Sequence, residues 1–277
     1  MKIRDEIISS RNNPIIKWAA SLSDKKGRAQ SESFIAEGEK LVFEALEAHL
    51  PVTHIFVSES RCDALMPRLR SSFSDEVYEK CEVFIVSDSA FDKISTEKSP
   101  QGIISVIKYL DFFRNMDIIY KEEFFLRADE RAIFLFSIRD PGNLGAVIRS
   151  AVAFGVDHIV LSSDCADVYN PKTVRSAMGS LFRTRITSVS DVPSFITAAR
   201  ECNRRVFAAE LRDGAVSLAE AGVSASDIVM IGNEGHGIDE AVSVLCDKSV
   251  YIPISKKTES LNASVAAAIF MWEQMNK

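Results

Sequence analysis

The chain has 277 residues, 47% hydrophobic and 26% charged, which is enough apolar mass for one large core or two smaller ones. It holds no apolar run long enough for a transmembrane helix, and its opening stretch, MKIRDEIISSRNNP, mixes acids with bases around no long apolar segment, so neither a membrane span nor a secretory leader is expected. The net charge of −6 by itself argues against a nucleic-acid partner, and five scattered cysteines (Cys62, Cys81, Cys165, Cys202, Cys246), never in a C-x-x-C pair, fit free thiols in a reducing cytoplasm.

Charge is not spread evenly. Residues 1–30 carry seven Lys or Arg (Lys2, Arg4, Arg11, Lys17, Lys25, Lys26, Arg28) against three acids. Local basic patches of this kind can hold phosphate even on an acidic protein, because salt screens the distant charges. Next, NPIIKWAASL and EGEKLVFEALEA have helical apolar spacing, while VTHIFVS, CEVFIVS and GIISVIKY read as short strands. The alternation predicts a small α/β domain over residues 1–110. Residues 111–131 carry ten charges in 21 positions and no strong strand, and are read as a linker.

From Ala132 the rhythm becomes regular. The strand AIFLFSI precedes a helix over 143–154, the strand DHIVLS, and a helix NPKTVRSAMG with proline in its first turn. A second basic stretch, residues 170–185, holds four bases and no acid. The strand TRITSV, the helix PSFITAARECN, the strands RVFAAEL and DIVMIG, a helix from Ile238, the strand SVYIPI and a helix from Ser260 follow. Strands separated by helices over 132–277 predict a parallel sheet with helices on both faces, whose ligand sits beyond the carboxyl ends of the strands.

Three loops lie at that end. The first, RDPGNLG, has turn formers at Pro141 and Gly142, with Asn143 as a candidate helix N-cap. Arg149 follows among apolar residues, either as an ordinary solvent-reaching arginine or as a fixed cation aimed at an electron-rich ligand. In the second loop, IGNEGHGI, Gly232, Gly235 and Gly237 make either a tight turn or a place where backbone approaches a ligand, with Glu234 between them. Its spacing matches neither a dinucleotide-binding G-x-G-x-x-G nor a P-loop, and His236 lacks any metal-ligand spacing. The third loop runs IPISKKTESLN into a helix that Ser260 or Asn262 could cap. Val265, Ala268, Ile269 and Trp272 fall at the spacing of one buried face on that helix.

In this order, DPGNLGAVIRSA, IGNEGHGI and IPISKKTESLNASVAAAIFMWE resemble motifs one, two and three of the SpoU-type, TrmH-like ribose 2′-O-methyltransferases of the SPOUT superfamily. CADVYNPKTVRSAMGSLFR is similar to the family's segment between motifs one and two. The stretch ISSRNNPIIKWAASLSDKKGRAQSESFIAEGEKLVFEAL, with SPQGIISVIK, resembles its RNA-substrate-binding domain, which is similar to a ribosomal protein. The resemblance implies a trefoil-knotted parallel-sheet α/β catalytic domain over 132–277, behind an RNA-binding domain over 1–110. It also implies a homodimer.

By the same resemblance the cofactor is S-adenosylmethionine, contacted by Gly232, Ile252 and Leu261. Asn143, Arg149, Glu234, Ser260 and Asn262 match the polar catalytic positions. Arginine essentially never gives up its proton, so Arg149 is assigned to the target phosphate and to a developing alkoxide instead of to general-base work. Glu234 would orient Arg149 or its loop, and Ser260 and Asn262 would position ribose and cofactor. Lys256 and Lys257 stand where the family has a small, glycine-containing loop, and would guide the target nucleotide. The partner implied is RNA, with rRNA ahead of tRNA and no metal. A non-catalytic RNA-binding or ribosome-assembly protein is the main rival.

Overall fold

The computed structural model describes residues 2–72 and 81–277. The chain packs as two compact units, the first from Met1–Leu110 with Asp167–Phe182 and the second from Asp111–Ala166 with Arg183–Lys277.

The first unit begins with β1 (Lys2–Ile8), α1 (Pro14–Ser21), α2 (Lys25–Ser31), β2 (Ser33–Glu37) and α3 (Glu39–Glu47). It continues through β3 (Val52–Ser58), α4 (Cys62–Ser72), β4 (Glu82–Val86), α5 (Asp88–Ile94) and β5 (Ile103–Lys108). Its mixed sheet runs β1-β4-β3-β5-β2, with β5 antiparallel to both neighbours. The inner strands β3 and β5 are largely buried and carry apolar residues on both faces. Helix α1 starts where Asn13 Oδ1 accepts from Ile15 N and Pro14 occupies the first turn. It buries Ile16 and Ala19 against Phe56, Phe84, Phe91 and Val106. Every strand and helix expected here forms. The sequence reading missed β1, α2, β2, α4 and α5.

Arg28, counted at first with the basic surface, is only 1% exposed. Its guanidinium donates to the carbonyls of Leu22 and Ser23 at 3.0 and 2.7 Å and to Asp167 Oδ2 at 2.6 Å. Near that carboxylate Tyr169 stacks on Phe34 and Tyr109, with ring centroids 4.6 and 4.4 Å away. Residues 167–182 thus pack as part of the first unit. Arg4, Arg175 and Arg185 are also committed, to Glu82, Glu97 and Glu130. Lys2, Arg11, Lys17, Lys25 and Lys26 remain exposed.

The second unit carries β6 (Phe113–Met116), β7 (Ala132–Leu135), α6 (Pro141–Ala153) and β8 (His158–Ser162). Helix α7 (Pro171–Ala177) lies in the segment that packs in the first unit. Then come β9 (Arg185–Val189), α8 (Val192–Glu201), β10 (Val206–Ala209), β11 (Val216–Ser217) and β12 (Ile228–Ile231). The one-turn α9 (Glu240–Ser243), β13 (Lys248–Tyr251) and α10 (Ala263–Met275) complete it. The sheet is parallel throughout, in the order β11-β13-β10-β12-β7-β8-β9-β6.

One face of this sheet (Ala132, Phe134, Val206, Ala208, Ile228, Met230) packs on Phe195, Ile196 and Ala199 of α8. Alternate residues point the other way, toward the side where α10 packs on α6 and β12. Residues 111–131 contain an edge strand: β6 pairs with β9, and its Arg114 and Asn115 are exposed. An edge strand tolerates polar residues on its wet side, so the stretch carries no strand-like pattern. His158, buried beside Thr187 with Nε2 2.8 Å from the hydroxyl, is pushed down to about 4 by burial, with the Arg185 charge adding to the effect.

The last helix corrects one expectation. Val265 and Trp272 are 47% and 52% exposed, while Ala263, Ala267, Phe270, Met271 and Gln274 are buried. Helix α10 is apolar almost all round, so spacing alone does not choose its inward face. Gln274 marks the choice: its side-chain amide donates to the carbonyl of Asp227 at 2.9 Å.

Candidate active site

Because every strand of the second sheet is parallel, the loops after β7, β10, β12 and β13 emerge at one end. The loop after β7 leaves through Ser137, a non-glycine residue at φ +56°. That conformation costs on the order of 1 kcal/mol and persists only if its surroundings enforce it. Here Ser137 N donates to Ser162 Oγ at 2.8 Å and Ser137 Oγ to Asp164 Oδ2 at 2.5 Å. The Ser137 carbonyl accepts from Asn233 Nδ2 at 2.7 Å, tying the loop after β7 to the loop after β12. Burial opposes ionisation of Asp164, but hydrogen bonds from Ser137, Ser162 and Arg139 outweigh it and hold the carboxyl below the usual range.

Helix α6 begins two residues before the expected start. Asp140 is the N-cap, its side chain accepting from Asn143 N at 2.8 Å, with Pro141 in the first turn. Asn143 is therefore freed from capping. Its Nδ2 donates to Glu234 Oε1, and its Oδ1 accepts from Asn262 Nδ2 at 3.0 Å. Asn262 caps α10 at the same time, Oδ1 accepting from Ser264 N at 2.9 Å. One hydrogen-bonded row thus joins the starts of α6 and α10 to the loop after β12.

In that loop Asn233 and Gly237 exchange two backbone hydrogen bonds of 3.0 and 2.9 Å. Asn233 Oδ1 also accepts from Gly235 N at 2.8 Å. A Cβ on Gly232 would lie 2.5 Å from the Gly237 carbonyl carbon and 2.7 Å from Ile238 N. These are backbone atoms with nowhere to go, so the tight turn alone demands glycine at 232. Of the two meanings open for this glycine, the turn is the one the geometry displays.

The loops after β10, β12 and β13 enclose a cavity of about 350 Å³. Gly232, Ile252 and Leu261 line it together with Glu234 and Ser260. Asn143 and Asn262 stand behind Glu234 through the row just described. Arg149 stands apart. It lies six residues beyond Asn143, roughly 9 Å further along the axis, exposed and without an ion pair among the described residues. The lining carries three carboxylates, from Glu210, Glu234 and Glu259, and no Lys, Arg or His among the described residues. Such a cavity repels phosphates and suits a ligand with positive charge and an apolar body. Lys256 and Lys257 are exposed in the loop after β13. No grouping of His, Cys, Asp or Glu suited to a metal ion occurs among the described residues.

Three elements of this end were missed in the sequence: Ser137, Asn233 and Glu210. Asn233 had a readable signal, since asparagine before a glycine-rich turn commonly closes an Asx-turn. Ser137 and Glu210 had none, because each matters through residues far along the chain.

The model of the SpoU rRNA methylase family matches residues 130–272. The chain belongs to the SpoU rRNA methylase family. An MRM3-like substrate-binding domain matches residues 13–105. The 23S rRNA (guanosine(2553)-2′-O)-methyltransferase RlmP of Bacillus subtilis is 32% identical over 96% of this chain and 98% of its own length. A 23S rRNA (uridine(2479)-2′-O)-methyltransferase of Streptomyces viridochromogenes is 26% identical over 98% and 92%. The crystal structure of an AdoMet-bound rRNA methyltransferase from Sinorhizobium meliloti aligns at a TM-score of 0.81 and 26% identity, covering 98% of this chain and 97% of that one. For a SpoU family member, the loops after β7, β12 and β13 are the three motifs recognised in the sequence.

Proposed function

We propose that the protein transfers a methyl group from S-adenosylmethionine to a ribose 2′-hydroxyl of RNA, with rRNA as the substrate class. The observation that carries this is the acidic, half-apolar cavity beside the Asn262–Asn143–Glu234 row. S-adenosylmethionine carries a sulfonium and an ammonium against one carboxylate, so its net charge complements three lining carboxylates. Its adenosine and side-chain carbons match Ile252, Leu261, Ala266 and Phe270. Gly232, Ile252 and Leu261 are the cofactor-binding residues in this reading. The rRNA preference rests on the full-length likeness to two enzymes that act on 23S rRNA. A tRNA substrate would need the same cavity and is set aside on that likeness.

When bound, the cofactor supplies a methyl group already made electrophilic by its sulfonium. The protein must hold the ribose hydroxyl in line with it, which is chiefly a problem of position. Glu234, fixed by Asn143, and Ser260 at the cavity wall are the groups for that task, with Asn262 holding Asn143. The guanidinium of Arg149, without an ion pair among the described residues, is available to an RNA phosphate or to charge developing on the attacking oxygen. Exposed Lys17, Lys25 and Lys26 on the first unit, residues 1–110 in the main, would supply phosphate contacts. We take residues 132–277, apart from the 167–182 segment that packs in the first unit, as the catalytic domain, with 111–131 as a linker that lends its sheet the edge strand β6.

Three finer features belong to the same proposal. A homodimer would cover the exposed Val265 and Trp272 of α10, where Phe154 packs edge-on to Trp272 at 5.9 Å. The chain would carry the trefoil knot of the wider family. It would work in the cytoplasm, a reading that five free cysteines favour.

The test is transfer of labelled methyl from S-adenosylmethionine to rRNA and tRNA purified from cells lacking this protein. Label on a ribose 2′-oxygen of rRNA, lost with Arg149→Ala while cofactor still binds, is the expected result. Label confined to tRNA would replace the substrate. An intact protein that binds RNA but neither cofactor nor label would establish the non-catalytic alternative.

A further inference from the structure

Glu210 is a carboxylate in the cavity to which neither the sequence motifs nor the family comparison gives a role. It follows β10 directly, and its backbone N–H continues that strand's pairing by donating to Val250 O at 3.0 Å. Its side chain is held by one oxygen. Oε1 accepts from Ser243 Oγ on α9 and from Ser249 Oγ on β13, the latter at 2.6 Å. Arg212 Nη1 lies 3.6 Å from the same oxygen and donates to Ser243 Oγ at 2.8 Å, which fixes that hydroxyl in turn. Oε2 has no protein partner among the described residues and is not buried away from solvent. A carboxylate has acceptor sites for about four hydrogen bonds, and here those of one oxygen are engaged while the other is free, on a residue that lines the cavity. Ser243 on α9, Ser249 on β13 and Arg212 in the loop after β10 orient a group whose other oxygen has no partner among the described residues.

We propose that Glu210 is a cofactor-binding residue, with Oε2 accepting a hydrogen bond from an O–H or N–H donor of S-adenosylmethionine. The inference rests on the methyltransferase reading of this cavity and deepens it by assigning a side chain that recognises the cofactor. Two parts of the ligand offer the required donor: the nucleoside, through its ribose hydroxyls or adenine amine, and the amino-acid end, through its ammonium. The anchored oxygen makes the acceptor pre-oriented, so little is lost in ordering it when the ligand arrives.

The experiment is isothermal titration calorimetry of the full-length protein with S-adenosylhomocysteine and with 5′-methylthioadenosine, which lacks the amino-acid end. Neither ligand can be turned over. Glu210→Gln keeps the shape and an acceptor for the two serines but removes the charge. Its affinity for S-adenosylhomocysteine is expected to fall about tenfold to a hundredfold, the loss of one charge-assisted hydrogen bond. An equal fall for 5′-methylthioadenosine places the donor on the nucleoside; a fall for S-adenosylhomocysteine alone places it on the ammonium, and either supports the assignment. Unchanged affinity for both ligands in Glu210→Gln, with normal binding by the unaltered protein, overturns it. If the unaltered protein binds neither ligand, the cofactor reading itself fails, which is a separate result. Ser249→Ala guards against a folding defect in the first variant. It leaves the carboxylate but removes one anchor, and is expected to weaken S-adenosylhomocysteine severalfold, whereas unchanged binding would mean the anchoring has no bearing on recognition.

Discussion

Replacing Gly232 by alanine adds a single methyl group, and the structure says what it strikes. The new Cβ would sit 2.5 Å from the carbonyl carbon of Gly237 and 2.7 Å from both Gly237 O and Ile238 N. Backbone cannot swing aside as a side-chain tip can, so the turn must open. Opening it sacrifices the two Asn233–Gly237 backbone bonds, worth about 2 kcal/mol together. Residual crowding adds about 1–2 kcal/mol. For a unit of this size a loss of about 3–4 kcal/mol lowers the melting temperature by about 6–16 °C. The same opening displaces the cavity wall and Glu234, so S-adenosylhomocysteine affinity should drop beyond measurement. Gly235→Ala is the matched control: its Cβ would meet only Asn233 Oδ1, at an ordinary 3.4 Å. It should melt and bind like the parent. Scanning calorimetry and cofactor titration on both variants decide the matter. Equal stability and affinity for Gly232→Ala and Gly235→Ala would refute the steric account of the turn.

Other outcomes follow from particular contacts. Arg28→Met should destabilise the protein by about 3 kcal/mol in urea, because it strands the Asp167 carboxylate and two carbonyls; Asp167 is 17% exposed, which keeps the figure at the low end. His158 is neutral in the fold down to pH about 4 but charges below about 6.5 when unfolded. The unfolded chain therefore binds the extra proton in that window, so stability should fall by about 3 kcal/mol as pH drops from 6.5 to 4. His158→Gln should flatten that part of a pH series of urea melts, and an unchanged slope would remove His158 as its source. Asn143→Ala should cut methyl transfer about a hundredfold by releasing Glu234 and Asn262. Its melting temperature should stay close to the parent's, since the residue is not in the core; a large fall would make Asn143 a folding residue.

Local chemistry was legible from the amino-acid order. Alternating apolar runs and proline- or asparagine-started helices reveal nearly every element of the second sheet, because each depends on neighbours a few residues away. Two of the loops at the cavity, those after β12 and β13, could be named for the same reason, while the one after β10 could not; Gly232, Ile252 and Leu261, which line it, were named through the family resemblance. Contacts between distant residues were not legible. Asn143 looked like a helix cap, yet Asp140 caps the helix and Asn143 reaches Glu234, 91 residues on, and Asn262, 119 residues on. Arg28 looked like surface charge, yet it is buried against Asp167, 139 residues away. Strand β6 hid in a charged stretch because only its pairing with β9 makes it a strand. In α10 the apolar residues encircle the helix, so α6 and β12 select the inward face that spacing could not. Sequence determines what short-range backbone preference and periodicity can encode; which polar group meets which partner is decided only when the parallel sheet gathers its loops at one end.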